Sequence, residues 1–275
     1  LSSIFRQAEE SLIIVNAHRI NSGEYPYVNE KEKDFFFMER TDEQSIVALI
    51  SELATTRLSA YYDGIDPIKD IQILTPVRKG TLGTASLNTE LQRMLNPPDV
   101  MKTEKKLGDR LFREGDKVMQ TRNNYQIGWK KRRDFSEGQG VFNGDIGYIH
   151  SIDNDAGQMT VIFDEDRFVS YEFGQLDEIE LAYAMTVHKS QGSEFPIVVM
   201  PVSWFPPMLA TRNLLYTAVT RGKKVVILCG MQRRMEAMVD NNRIKLRFSG
   251  LKHRLRALIG RSIIGSNKET LGNEI

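Results

Sequence analysis

Thr186, His188, Lys189, Ser190, Gln191, Gly192 and Glu194 fall within nine consecutive positions, just before the apolar run Pro196 to Met200. A β-branched run of that kind reads as a buried parallel strand, and a fold alone does not require so many polar groups at its entrance. Thr186, His188 and Ser190 alternate, so an extended segment would aim all three at one object. A second concentration of chemistry follows. The helix-compatible run LLYTAVT stops at Arg221-Gly222, ahead of another apolar run, Lys224 to Leu228. An arginine at a helix end beside a sheet can stabilise the charge that spreads over a transferred phosphoryl group. It can equally satisfy the open carbonyls of its own helix.

The elements that must hold these groups alternate along the chain. Ser11 to Ile20 has helical apolar spacing and a stop at Asn21-Ser22-Gly23. Asp34 to Met38 reads as a strand, and Thr41 to Gln44 reads as the capped start of a helix continuing through SIVALISELATTRL. Asp70 to Thr75 reads as a buried strand closed by Pro76, and Thr84 to Leu95 as a helix stopped by Asn96-Pro97-Pro98. Strand, helix and strand resume at Ile197 to Met200, Arg212 to Thr220 and Lys224 to Leu228. Such alternation predicts a parallel sheet flanked by helices. The middle differs: Gly115 to Gln120, Gly144 to Ile152, Gln158 to Asp164 and Arg167 to Phe173 are short strand-like runs separated by turn residues. They predict a small barrel. Beyond it, Met231 to Arg261 is basic with a helical pattern.

AYAMTVHKSQGSEFPIVVM (Ala182 to Met200) and LLYTAVTRGKKVVIL (Leu214 to Leu228) resemble motifs V and VI of superfamily 1 helicases, and TVHKSQGSEF is similar to the RecD-like branch, the RecD/TraA type that includes the exodeoxyribonuclease V alpha subunit. LSSIFRQ at Leu1 to Gln7 is similar to motif IV. ILTPVRKGTLGTASLN (Ile73 to Asn88) is similar to the opening of the second RecA-like domain, and REGDKVMQTRNNY with VFNGDIGYI to an inserted barrel. The resemblance implies an α/β fold: a RecA-like parallel-sheet domain of the P-loop NTPase type with a small SH3-like β-barrel inserted. The implied organisation is the end of a first RecA-like domain at 1–26, the second RecA-like domain at 27–111 and 178–261, the barrel at 112–177, and a tail at 262–275.

The same resemblance implies the C-terminal motor portion of an ATP-dependent DNA helicase moving 5′ to 3′ on single-stranded DNA, in repair and recombination. It makes Arg221 an arginine finger with Arg6 as its partner, and places Gln7, Gly192, Glu194 and Arg221 on the nucleotide side. It places Thr75, Arg78, Thr186, His188 and Ser190 along the DNA, joined on the barrel by Asn124 and Tyr125. The implied cofactor is ATP with Mg2+. No stretch fits GxxxxGK[ST], since Lys79-Gly80-Thr81 has its lysine before the glycine. The expectation is therefore half of an ATP site. The phosphate cradle and magnesium ligands would belong to a first RecA-like domain preceding Leu1, and this segment alone would be inactive. The residues also leave open an RNA-directed or relaxase-fused helicase, and a non-catalytic module that binds nucleic acid or protein.

A net charge of +1 from 37 basic and 36 acidic residues predicts no nucleic-acid affinity by itself. Its distribution is uneven: Lys117 to Arg133 holds six basic residues and no acid, whereas Ser151 to Glu180 holds nine acids against Arg167 alone. That asymmetry predicts either a polyanion track or a solvated basic loop. Arg122, Asn123, Asn124, Tyr125 and Trp129 mix polar and charged groups with π-faces, a recipe for a single strand; a hairpin whose aromatics pack on the barrel is the other reading. A single cysteine, Cys229, excludes an internal disulfide and a Cys-rich metal cluster. The apolar runs are too short to span a bilayer and no signal pattern opens the chain, so the expected compartment is the cytoplasm.

Overall fold

Strands form where β-branched and aromatic runs can cover both faces. The computed structural model describes residues 11–30 and 33–243. In chain order it runs α1 (Leu12–Ser22), β1 (Phe35–Glu39) and α2 (Glu43–Glu52), the last continuing through a π-helical turn (Leu53–Arg57) into α3 (Leu58–Tyr61). Next come β2 (Ile71–Thr75), α4 (Thr84–Leu95), β3 (Glu104–Leu107), β4 (Arg110–Arg113), β5 (Lys117–Gln120), β6 (Asn124–Lys131) and β7 (Glu137–Val141). Then follow β8 (Ile146–Asp153), β9 (Gln158–Phe163), β10 (Arg167–Glu172), β11 (Ile179–Leu181), β12 (Ala184–Thr186), β13 (Phe195–Val202), α5 (Arg212–Val219), β14 (Gly222–Gly230) and α6 (Gln232–Asp240).

Five strands make one wholly parallel sheet in the order β1-β14-β13-β2-β12. Successive side chains of a strand face opposite ways, and the two cores obey that rule. Val198, Met200, Val202, Val226 and Leu228 pack with α1, α5 and α6 on one face. Ile197, Val199, Val225, Ile227 and Cys229 pack with α2, α4 and the π-helical turn on the other. β2 is buried at all five positions, as expected of a central strand. The start of α2 is fixed by Asp42, whose carboxylate accepts from the Ser45 N–H at 2.8 Å. α1, which the family pattern assigns to the end of a preceding domain, buries Leu12, Ile13, Ala17 and Ile20 in the core of this sheet.

Between α4 and β12 the chain builds a seven-stranded antiparallel sheet, β11-β5-β8-β9-β10-β6-β7, preceded by the β3-β4 ribbon. Val141 from one end strand and Ile179 from the other share a single core with Val118, Val161, Phe163, Val169 and Tyr171, so the sheet curls on itself as a barrel. The hairpin β6-β7 carries no clean alternation in sequence. It is held by Trp129, whose indole lies over Gly138; a Cβ there would meet the ring at 2.3 Å. The packing reading therefore describes Trp129.

The barrel is joined to the sheet through buried polar groups. Asp116 accepts from Gln92 Nε2 (2.6 Å), Asn96 Nδ2 (2.8 Å), Tyr183 Oη (2.9 Å) and the Arg113 N–H (2.7 Å). Beside it Lys117 is fully buried, its Nζ donating to the Ile71 carbonyl at 3.3 Å. Burial pushes the Lys117 ammonium down to about 7, against the smaller opposing pull of Asp70 and Asp66. Among the described residues no helix is long and apolar enough to cross a membrane.

A candidate strand groove and a candidate nucleotide edge

Parallel strands leave their carboxyl ends along one edge of a sheet, the edge where open α/β sheets bind ligands. Here that edge carries a groove of about 830 Å³ lined by Arg78, Lys79, Thr186, His188, Trp204 and Phe205, among others. One wall is the β2-α4 loop. Thr75 Oγ1 donates to the Leu82 carbonyl at 2.7 Å, and the Thr84 N–H closes the loop on Val77 O at 3.1 Å. Arg78 and Lys79 project from it exposed, and neither has an ion-pair partner among the described residues. Another wall follows β12, where Thr186 lines the groove and the His188 side chain is exposed. Lys189, beside them, is tied to Glu180 at 2.8 Å. Glu43 is the one carboxylate among the lining residues.

Two expected contacts do not reach this groove. Beyond Thr186 the chain leaves the extended conformation for tight turns, with the Lys189 and Ser190 N–H groups donating to Thr186 O at 2.9 and 3.2 Å. The alternation that would have aligned Ser190 with Thr186 and His188 is lost. Ser190 is fully buried, its Oγ donating to Val187 O at 2.8 Å. Thr75 is equally buried, with its hydroxyl engaged by the loop. Both support the walls from behind and offer nothing to a strand. On the barrel, Asn124 is engaged by the fold: its Nδ2 donates to Glu178 Oε2 at 3.0 Å and its Oδ1 accepts from the Gln126 and Ile127 N–H groups, which shapes the hairpin. Tyr125 remains exposed, edge-on to Phe142 at 5.7 Å between centroids.

The opposite edge of the sheet holds the second cluster. α5 runs back across the sheet after β13, so its C-terminus meets the start of β14, where Phe195 pairs with Gly222. Arg221 sits there half-buried. Its Nε donates to Thr217 O (3.2 Å), its Nη1 to Ser193 O (3.0 Å) and its Nη2 to Thr220 Oγ1 (3.2 Å). Every acceptor is neutral, and among the described residues no carboxylate pairs with it. The helix-capping geometry is thus real, and so is an uncompensated cation removed from much of its water. The bond to Ser193 ties Arg221 to the Gly192–Glu194 turn. Gly192 has φ +90, a backbone state that suits glycine, and a Cβ there would meet no atom within 4 Å. Glu194 pairs with Lys223 at 3.2 Å; both side chains are more than half exposed, so the pair contributes little. Arg6 and Gln7 lie outside the described residues, as does the basic run after Arg243.

A RecA-like parallel sheet with an SH3-like barrel inserted ahead of its last strands defines a superfamily 1 helicase domain. Family models agree: residues 87–163 match the SH3 domain of the ATP-dependent RecD-like DNA helicases, and residues 181–229 match the UvrD-like helicase C-terminal domain. The chain is 30% identical over 94% of its length to the ATP-dependent RecD2 DNA helicase of Deinococcus radiodurans, covering 32% of that protein. It is 29% identical over 70% of its length to the RecBCD enzyme subunit RecD of Mycolicibacterium smegmatis, covering 31% of it. The chain thus spans about a third of the length of these relatives. A Bacteroides Pif1 helicase, solved with ADP-AlF3 and single-stranded DNA, aligns with 83% of this chain and 51% of its own at TM-score 0.46 and 19% identity, too loosely to argue from. Together these matches support a RecD-like superfamily 1 helicase C-terminal part.

Sequence reasoning missed Trp204 as a wall of the groove. Its signal was an indole in a Pro-rich loop, Ser203 to Pro207, directly after a buried strand.

Proposed function

We propose that this chain is the motor segment of an ATP-dependent 5′ to 3′ DNA helicase, with an arginine finger at one edge of its sheet and part of a single-strand groove at the other. The observation that carries the reading is Arg221: a half-buried guanidinium whose charge no carboxylate neutralises, at the exit of a helix and bonded to the turn that holds Gly192 and Glu194. A half-buried cation of that kind gains from an anion that completes it, and its planar fork suits phosphate oxygens. Bound ATP, with Mg2+, supplies the transferable phosphoryl group. Arg221 contributes positive charge to the transition state, Gly192 lends an exposed backbone turn, and Glu194 offers a carboxylate to a ribose hydroxyl once it leaves Lys223. The family pattern assigns Arg6 and Gln7 to the same nucleotide; both lie outside the described residues.

A first RecA-like domain preceding this segment would provide the phosphate cradle, the magnesium ligands and the catalytic base. Closure and opening of the cleft between the two domains would tighten and release Thr186, His188 and Arg78 on single-stranded DNA. Repair or recombination, and assembly with other subunits, follow from the relatives as part of the same proposal.

The test is Arg221→Ala in the full-length enzyme. Hydrolysis should fall by on the order of 10³ while ATP affinity stays within several-fold, because the guanidinium acts on charge that develops in the transition state. An unchanged hydrolysis rate would reduce Arg221 to a helix cap.

A further inference from the structure

We propose that Trp204 is a base-stacking platform, so that the groove holds a single strand by its bases as well as by its phosphates. The inference rests on the reading of the groove as the strand site and adds the part of the strand that is recognised. Trp204 is 62% exposed, while its neighbour Phe205 is only 6% exposed and anchors the loop in the core. The loop carrying them is fixed at both ends. Met231 N–H donates to Val202 O at 3.0 Å, and Asn241 Nδ2 reaches Pro207 O at 2.8 Å and Ala210 O at 2.7 Å. Pro206 and Pro207 restrict φ between those ties, and Pro206 O accepts from the Leu209 N–H at 2.8 Å. A large apolar ring is therefore held toward solvent by a rigid support, so little loop ordering remains to be lost on binding.

Among the described residues, no ring stacks on Trp204 and no cation lies over it. Its π-face is unclaimed within the fold. The other walls of the same groove present Arg78 and Lys79, both without ion-pair partners among the described residues, and the exposed His188. Unpaired cations facing an open aromatic are the combination that grips a nucleotide strand without reading its sequence, because every base has a π-face. An aromatic kept for a protein partner would leave those cations unexplained.

The experiment compares an oligothymidylate with an abasic deoxyribose-phosphate oligomer of equal length and charge, first on the native chain. Thymidylate should bind tighter by roughly 10-fold or more, the range expected when a base stacks on one aromatic. Trp204→Ala should remove that difference while leaving abasic binding unchanged, and Trp204→Phe should restore part of it. With Trp129→Phe, Trp204 is the only indole of the two in the chain; its fluorescence should be quenched by thymidylate and not by the abasic oligomer. Equal binding of both oligomers by the native chain would overturn the stacking role and leave the groove reading standing. Binding of neither would overturn both.

Discussion

The two edges of the parallel sheet are organised in opposite ways. At the carboxyl edge the groove is already open: Arg78 and Lys79 stand exposed on a hydrogen-bonded loop, without ion-pair partners among the described residues, and Trp204 is held outward by another loop. At the amino edge Arg221 is occupied by three acceptors of its own chain. Each such bond contributes about 1 kcal/mol net, so the arginine must give up roughly 2–4 kcal/mol before it can reach a phosphate, and charge-assisted bonds to the phosphate must more than offset that. The groove needs only a ligand. On the proposed reading the arginine would need a ligand and something to draw it out, which would tie its chemistry to closure against another domain. Roughly 23 Å of strand separates the edges, taking the seven steps between the eight residues of β13 at about 3.3 Å each.

If the edges are independent in binding and coupled only in the working enzyme, substitutions at one should spare the other. The largest expected effect is the loss of hydrolysis on the order of 10³ in Arg221→Ala. The same variant should bind single-stranded oligonucleotides within about twofold of the parent, and a parallel loss of strand affinity would merge the two sites into one.

Next in size is the joint between barrel and sheet, which lies under the amino edge, with Lys117 Nζ 5.8 Å from the Phe195 ring. In the unfolded chain this lysine holds its proton to about 10.4, whereas burial lowers it to about 7 in the fold. Between those values the unfolded state binds more protons, so stability rises with pH. Below about 7 the full cost is present, on the order of 3–5 kcal/mol from the size of the shift. Lys117→Met should therefore raise the melting temperature clearly at pH 6 and progressively less toward pH 10. A gain that does not vary with pH would mean that Lys117 is not the titrating group.

Arg78→Ala with Lys79→Ala should weaken oligonucleotide binding and flatten the log-log salt dependence by roughly one to two units, with nucleotide affinity untouched. An unchanged slope would move the phosphate contacts away from the β2-α4 loop. His188→Ala is the mildest: a few-fold weaker binding, with a smaller change of slope than the arginine and lysine pair gives. Binding equal to that of the parent would take His188 off the strand.

The charge distribution shows how pairing can undo a sequence pattern. The basic stretch Lys117 to Arg133 and the acidic stretch Ser151 to Glu180 look like two separate faces. β6 pairs with β10, however, and brings them side by side. Arg122 then meets Asp177 and Glu178, the Arg132 N–H binds Asp166, and Arg167 lies between Asp145 and Asp164. Lys117 leaves the surface altogether. The barrel's basic stretch is therefore partly paired, while the Lys131, Arg132 and Arg133 side chains, like Arg78 and Lys79 on the loop of the sheet, have no ion pair among the described residues.

Local pattern decided much of this molecule in advance. Apolar runs, Pro stops and the capped start at Thr41 to Gln44 marked four of the five sheet strands and the helices α1, α4 and α5 within about two residues, because buried strands and helix ends depend mainly on neighbours in sequence; β12 carried no such mark. The motif residues likewise placed Thr186, His188 and Arg78 on one groove, and Gly192, Glu194 and Arg221 together at one edge. Tertiary structure decided which of them face outward. Thr75, Ser190 and Asn124 share the polar chemistry of their neighbours, yet their hydrogen bonds are taken by Leu82 O, Val187 O and Glu178. Trp204 and Phe205 are adjacent aromatics of which only one is open to solvent. Residue type limits what a side chain can do; which partners the fold brings within 3 Å determines whether that capacity is spent inside the protein or left for a ligand.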